Sequence, residues 1–163
     1  MVIHMNNIDS NILRTIVDEA ISSFNELDSY LIENDLSERC ICARFALHLT
    51  KALENISYNN YVVDVEYNRG AYGKEDGIKK MDGNPITVDL IVHKRGYNIN
   101  HGFTNLICIE MKKSTNRQGC ENDETRLNKM CSYEYRFCYS VGYMILINMG
   151  KNCLEIKKAF EKH

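Results

Sequence analysis

The sequence lacks the features that would assign it to a membrane, secreted or repeat class. No apolar run approaches the roughly 18 residues that a bilayer-spanning helix needs. Residues 1–7 contain no basic segment followed by an apolar one, so we expect no signal peptide. There are no internal repeats and no low-complexity segments. We therefore expect a cytoplasmic protein without membrane contact.

Paired cysteine motifs are also missing. The seven cysteines are scattered and form no Cys-x-x-Cys pair. Cys108 lies in an apolar strand segment and Cys42 on the apolar side of a predicted helix, which is typical of small buried residues in a reducing compartment. A zinc site built from Cys120, Cys131 and Cys138 is an alternative, although their spacing matches no usual ligand pattern.

The chain has no overall excess of basic residues, and its net charge of −2 does not by itself indicate a nucleic-acid binder. The charges are unevenly distributed, however. Residues 1–38 hold eight acids and one base, whereas residues 94–129 hold seven bases and four acids. The second half is therefore suited to face a polyanion, and the first half is not.

A chain of 163 residues is long enough for one domain with a real core. Apolar periodicity predicts helices over residues 8–33, 37–54 and about 123–138, the last with Asn122 or Asp123 as its N-cap. The predicted apolar stripes are Ile12, Ile16, Ala20 and Phe24 in the first helix and Ile41, Phe45, Leu49 and Leu53 in the second. Apolar or alternating segments predict strands over residues 61–67, 86–93, 105–112 and 141–148. Residues 68–84 contain four glycines and are interpreted as a long mobile loop. Residues 151–163 are expected to form a short strand or turn and a basic helix.

This order of elements predicts an α/β fold with a mixed central β-sheet flanked by helices. We expect a single domain over residues 1–163. It divides into an N-terminal helical extension (1–35), a core (36–150) and a C-terminal element (151–163).

Two neighbouring strand segments carry the residues with the clearest chemical pattern. In Ile86–His93, Val88, Leu90 and Val92 are expected to share one face, which leaves Asp89 on the other. In Asn105–Lys113, Glu110 and Lys112 project from one face, roughly 7 Å apart along the strand. If the strands are neighbours, Asp89 and Glu110 can meet around one cation.

Such a site suits magnesium. Mg²⁺ prefers hard oxygen ligands and keeps several waters, so two carboxylates, a backbone carbonyl and waters are sufficient. The metal polarises a phosphoryl oxygen and lowers the pKa of a bound water. Lys112 would orient that water or stabilise the developing negative charge.

The arrangement resembles the PD-(D/E)xK nuclease superfamily, which includes many restriction endonucleases, repair nucleases and Holliday-junction resolvases. The resemblance covers residues from about 37 to 148 and rests on Asp89 and Glu110-Met-Lys112. It implies a restriction-endonuclease-like αβββαβ core with an extra N-terminal helix. It further implies that Asp89, Glu110 and the Met111 carbonyl bind Mg²⁺ or Mn²⁺ and that Lys112 is the catalytic lysine. The sequence departs from the family pattern where Val88, not proline, precedes Asp89.

Further residues belong to the predicted site less directly. Many family members have a glutamate on the helix before the sheet, and Glu38 matches it. Alternatively, Glu38 closes a capping box that begins at Asp35. Arg69, Arg126 and Lys129 are candidates for phosphate contacts.

Asp64 and Glu66 form a second carboxylate pair on one face of the strand over residues 61–67. No lysine follows this pair at the spacing that the first pair shows. We therefore interpret it as a solvated edge face.

The leading hypothesis is a metal-dependent nuclease that cuts DNA. A dimer would place two such centres on the two strands of a duplex. The alternatives are a catalytically silent nuclease-like domain that binds nucleic acid or a protein partner, and a structural protein in which the motif is a coincidence.

Overall fold

The computed structural model describes residues 8–56, 60–70, 73–95, 105–116, 118–135 and 137–163 of the chain. Within these ranges the helices are α1 (Ser10–Leu27), α2 (Tyr30–Glu33), α3 (Glu38–Glu54) and α4 (Cys120–Cys131). The strands are β1 (Val62–Val65), β2 (Arg69–Gly70), β3 (Gly73–Ile78), β4 (Lys80–Met81), β5 (Asn84–Pro85), β6 (Leu90–His93), β7 (Asn105–Lys113), β8 (Val141–Asn148) and β9 (Cys153–Glu161).

Five of the strands form one mixed sheet in the order β1-β6-β7-β8-β9. The central neighbours β7 and β8 run parallel, and the other neighbours in the sheet run antiparallel. Helix α4 makes the crossover between the two parallel strands, a connection that parallel pairing requires. The predicted mixed sheet flanked by helices is therefore confirmed.

The sheet separates two apolar cores. One lies between the sheet and helices α1 and α3, where Phe45 and Leu49 pack with Ile107 and Ile109. The other lies beneath α4, where Leu127 packs with residues of β6, β7 and β8. None of the described helices combines the length and apolar character that a bilayer-spanning helix requires.

Helix α3 forms as the sequence predicts. Ser37 is its N-cap, and the Ser37 hydroxyl accepts a hydrogen bond from the Cys40 amide at 3.2 Å. The predicted capping box from Asp35 to Glu38 is therefore wrong, because Ser37 occupies the cap. The predicted apolar stripe is buried and consists of Ile41, Phe45, Leu49 and Leu53.

The prediction of one helix over residues 8–33 is wrong because the chain breaks after Leu27. Asp28 ends α1, and its carboxylate pairs with Arg44 and His48 of α3. The predicted buried face is confirmed at Ile16, Ala20 and Phe24 and is wrong at Ile12, which is 42% exposed while its neighbour Leu13 is fully buried.

Helix α4 begins and ends earlier than predicted. Its N-cap is Gly119, at a φ of 79°, and neither Asn122 nor Asp123 caps it. Glycine adopts this left-handed conformation without steric cost. Asp123 therefore lies in the first turn of α4, where its side chain is available for contacts with the sheet.

The predicted loop over residues 68–84 contains two short hairpins. Strands β2 and β3 form one, and β4 and β5 the other. The second hairpin turns at Asp82 and Gly83, which both have a positive φ. Asp-Gly is a preferred two-residue hairpin turn, so this element had a local signal that the sequence analysis missed.

The predicted C-terminal helix is wrong, because β9 extends the sheet along the edge of β8. Leu154 of β9 is buried, and its backbone is held by Asn25 of α1. The Asn25 side chain donates to the Leu154 carbonyl at 3.1 Å and accepts from the Leu154 amide at 2.7 Å. A partner 129 positions away in the sequence thus fixes this segment as a strand.

Replacing Gly142 with alanine is expected to lower the free energy of unfolding by about 1 kcal/mol or more. A Cβ atom at this position of β8 would lie 3.1 Å from the Cys131 sulfur and 3.2 Å from the Cys108 sulfur. Both thiols are fully buried, so neither can move aside without disturbing the second core. Urea unfolding followed by circular dichroism measures the change.

Gly150 provides the matched control. A Cβ there would meet only the Asn148 side-chain oxygen, at an ordinary 3.6 Å. Gly150→Ala is expected to change stability by less than about 0.5 kcal/mol. Equal stability of the Gly142→Ala protein and the wild type would show that the core beneath α4 has room to adapt.

Candidate active site

The antiparallel pairing of β6 and β7 brings the two predicted acidic positions together. Leu90 faces Ile109 in the register of this pair. The next two residues are Asp89, directly before β6, and Glu110 on β7. Glu110 is only 4% exposed. The Asp89 carboxyl is half-buried and lies within hydrogen-bonding reach of the Glu110 carboxyl.

Asp89 occupies a bend just before β6 begins, so the predicted strand over residues 86–93 is too long. The prediction that Val88 shares a face with Leu90 and Val92 is wrong, because strand alternation does not extend through this bend. Val88 packs in the core beneath α4, whereas Leu90 and Val92 pack towards α1 and α3.

The bend directs the Asp89 side chain at the edge of β7. The Asp89 carboxylate accepts a hydrogen bond from the Met111 amide at 2.7 Å. Met111 lies two residues beyond Ile109, where β6 no longer supplies a backbone partner to β7. The carboxylate therefore takes the place of a strand carbonyl and is fixed beside Glu110.

The surroundings of the two carboxyl groups disfavour their negative charges. Burial raises the pKa of Glu110 well above its ordinary value, and Asp89 adds to this effect, whereas Arg126 opposes it. Burial also raises the pKa of Asp89, against the hydrogen bonds from Met111 and Glu110. Two adjacent carboxylates in a poorly hydrated place repel each other, so both gain from a cation between them.

Lys112 projects towards α4. Its ammonium group pairs with the Asp123 carboxylate at 3.1 Å, and its side chain is 19% exposed. Partial burial works against the charged form of Lys112. The hydrogen bond to Asp123 nevertheless raises the pKa of Lys112 above its ordinary value. Lys112 is therefore a permanently charged group beside the two carboxylates at neutral pH.

Arg126 lies one turn after Asp123 on α4, on the same side of the sheet as Lys112. Its guanidinium group forms an ion pair with Glu110 and approaches Asp123 at 3.5 Å. Asp123 thus bridges Lys112 and Arg126. Asp123 is not among the predicted site residues, although its i, i+3 spacing from Arg126 places both on one helix face.

Glu38 borders the site from α3. Its carboxylate accepts a hydrogen bond from the Asn116 amide at 3.4 Å, and its charge acts on both Asp89 and Lys112. One turn further along α3, the Cys42 thiol approaches the Asp89 carbonyl at 3.7 Å. The face of α3 that carries Glu38 therefore forms one wall of the site.

The structure does not bring the other predicted residues into this cluster. Arg69 donates to the Asn68 side chain at 2.7 Å. Lys129 pairs with Asp82 of the second hairpin at 2.6 Å and is 35% exposed.

The interpretation of Asp64 and Glu66 as a solvated edge pair is confirmed for the edge position of β1 and for the exposed Glu66, but it is wrong for Asp64 and for their common face. Asp64 is ion-paired with His93 and Arg95, and its side chain is only 14% exposed. Glu66 lies beyond the end of β1 with a φ of 50°, which breaks the strand alternation. Its carboxylate instead pairs with Arg39 at 3.1 Å.

Comparisons of this chain with models of protein families, with curated proteins and with solved structures gave no match in any of the three.

Within the described ranges, no three His, Cys, Asp or Glu side chains are gathered where they could hold a metal ion. The thiols considered for zinc have separate contacts: Cys120 with Lys157, Cys131 with the Phe160 carbonyl, and Cys138 with the Tyr135 carbonyl. The pair of Asp89 and Glu110 offers two hard oxygen ligands. This donor set fits Mg²⁺ or Mn²⁺, since Mg²⁺ commonly keeps water in its remaining positions.

A cavity of about 450 Å³ opens beside Lys112. Its walls combine polar groups of both charges with the apolar side chains of Met144 and Leu146. The polar residues are Lys112, Lys113, Ser114, Asn116, Glu121, Glu124 and Lys157.

Proposed function

We propose that this chain is a divalent-cation-dependent nuclease that hydrolyses phosphodiester bonds of DNA. We further propose that its core is of the PD-(D/E)xK type, restriction-endonuclease-like. The order α3, β1, β6, β7, α4, β8 supports this proposal, since it follows the αβββαβ arrangement. The observation that carries it is the meeting of Asp89, Glu110 and Lys112 at one end of the β6–β7 pair.

Each residue has a role that follows from its surroundings. Asp89 and Glu110 would hold the cation, with the Met111 carbonyl as a further ligand and Glu38 as an outer acidic group. When bound, the cation polarises the phosphoryl oxygen and lowers the pKa of a water. Lys112 holds the attacking water or the negative charge that develops on the phosphoryl group.

One observation favours the second candidate, a silent nuclease-like domain. Glu110 and Asp123 are already compensated by Arg126 and Lys112 through ion pairs. A protein that only binds a nucleic acid or a protein partner could retain such a cluster for stability. The two candidates differ in whether Asp89 and Glu110 bind a cation.

The test is an incubation of the purified protein with supercoiled, linear, branched and single-stranded DNA in Mg²⁺ or Mn²⁺. Cleavage of at least one substrate is expected, with no cleavage in EDTA. Calorimetric titration with Mn²⁺ should show binding in the wild type that is at least about tenfold weaker in Glu110→Gln.

Two results would contradict the proposal. Cleavage that persists in EDTA would exclude metal-dependent chemistry. Absence of both cleavage and Glu110-dependent Mn²⁺ binding would favour the silent domain. Gel analysis of the products also distinguishes internal cuts from removal of terminal nucleotides.

A further inference from the structure

Arg126 occupies an unusual position for a residue expected to contact phosphate. Its guanidinium group is paired with Glu110, which is nearly fully buried, and it also reaches Asp123. The Arg126 side chain itself is only 28% exposed. It is therefore bound within the site and not extended towards solvent.

The Glu110 oxygen that pairs with Arg126 is one of the two that the carboxylate offers to a ligand. A cation held between Asp89 and Glu110 would add two positive charges close to the guanidinium group. Like charges so near each other in a poorly hydrated site repel strongly. Arg126 and a divalent cation thus compete for the same carboxylate.

We propose that Arg126 is an internal counter-ion that a divalent cation displaces from Glu110, and that the displaced guanidinium group then binds a phosphate of the substrate. This inference rests on the proposed function and adds a regulatory step to it. In the metal-free protein, Arg126 neutralises Glu110 and is withheld from DNA. In the metal-loaded protein, it becomes available as a phosphate ligand.

Mn²⁺ affinity measured by calorimetry tests the first half of the proposal. Arg126→Met keeps a long side chain and removes the positive charge. It is expected to bind Mn²⁺ about tenfold more tightly than the wild type, because the cation no longer displaces a charged hydrogen-bond donor. Arg126→Lys keeps the charge but loses the two-pronged contact, so a smaller gain of a few-fold is expected.

The matched control is Arg14→Met. Arg14 also pairs with a carboxylate, that of Asp18 on α1 at 3.0 Å, and lies outside the site. Its Mn²⁺ affinity should equal that of the wild type. Thermal unfolding establishes that each variant is folded. If Arg126→Met is not folded, the Mn²⁺ affinity of Arg126→Lys is the deciding measurement.

DNA binding tests the second half. Fluorescence anisotropy with a non-hydrolysable phosphorothioate oligonucleotide gives the dependence of the affinity on salt concentration. In saturating Mg²⁺, Arg126→Met should reduce the slope of log K against log salt by about 0.9, the loss of one phosphate contact. In EDTA, the slopes of the wild type and the variant should be the same.

The outcomes separate the inference from the proposed function. If Arg126→Met binds Mn²⁺ no more tightly than the wild type, while wild-type binding still depends on Glu110, only the inference fails. If the Mg²⁺ slopes are equal, the phosphate contact is excluded. If neither protein binds Mn²⁺, the inference and the proposed metal site fail together.

Discussion

Replacement of Lys112 by methionine is expected to lower kcat for DNA cleavage by about 100- to 1000-fold, the usual effect of removing one preorganised group that stabilises developing charge. Methionine keeps the length and the apolar stem of the side chain and removes only the ammonium group. The two carboxyl groups of Asp89 and Glu110 remain in place. The variant should therefore bind Mn²⁺ at least as tightly as the wild type, and single-turnover cleavage measures the loss.

Lys113 offers a control at the adjacent position. Its ammonium group pairs with Asp35 at 2.7 Å, whereas that of Lys112 pairs with Asp123. Lys113→Met should keep kcat within a few-fold of the wild type. If Lys112→Met cleaves at the wild-type rate, Lys112 has no catalytic role. If Lys112→Met loses both cleavage and Mn²⁺ binding, the lysine acts on the arrangement of the carboxylates and not on the chemical step.

The residues that pattern alone could place are those on regular strands and helices. The four-residue spacing of Phe45 and Leu49 indicated the buried face of α3. The alternation along β7 placed Glu110 and Lys112 on one face, towards α4. These periods of 3.6 and 2 are fixed by local geometry, so a single sequence carries them.

The parts that could not be predicted depend on contacts between distant segments. Asp123 enters the site because α4 begins at Gly119 and because the crossover sets α4 against β7. Strand β9 exists because β8 has a free edge and Asn25 of α1 holds Leu154. Neither relation leaves a periodic signal in the sequence.

A second lysine, Lys79, lies buried away from the proposed active site. It is only 6% exposed and follows β3 directly. Its ammonium group lies over the rings of Tyr67, Phe137 and Tyr139, at 5.3 to 5.7 Å from their centres. The Tyr139 hydroxyl is 3.4 Å away. Burial lowers the pKa of Lys79 from 10.5 to about 8.

This shift makes the contribution of Lys79 to stability depend on pH. Between about pH 8 and 10.5, the unfolded chain binds a proton at this lysine that the folded protein has partly released. The free energy of unfolding therefore rises with pH through that window as far as it depends on Lys79. The full destabilisation by the buried charge is present below about pH 8. This destabilisation is about 3 kcal/mol, reduced by the favourable interaction of the ammonium group with the three aromatic rings.

Lys79→Met is therefore expected to be more stable than the wild type at pH 7, by up to about 3 kcal/mol, because a buried charge that pairs with no carboxylate of the described residues gives way to an apolar side chain. The advantage should shrink steadily between pH 8 and 10. Urea unfolding at several pH values measures both proteins, so that titrating groups distant from Lys79 largely cancel in the difference.

Lys80, the exposed neighbour of Lys79, separates burial from charge alone. Lys80→Met should differ from the wild type by less than about 0.5 kcal/mol at every pH, since substitutions at exposed positions without special contacts usually change stability little. If Lys79→Met were instead destabilised at pH 7, with a difference independent of pH, the aromatic rings would hold the ammonium group at no net cost. Lys79 would then stabilise the small hairpins against the sheet through its charge.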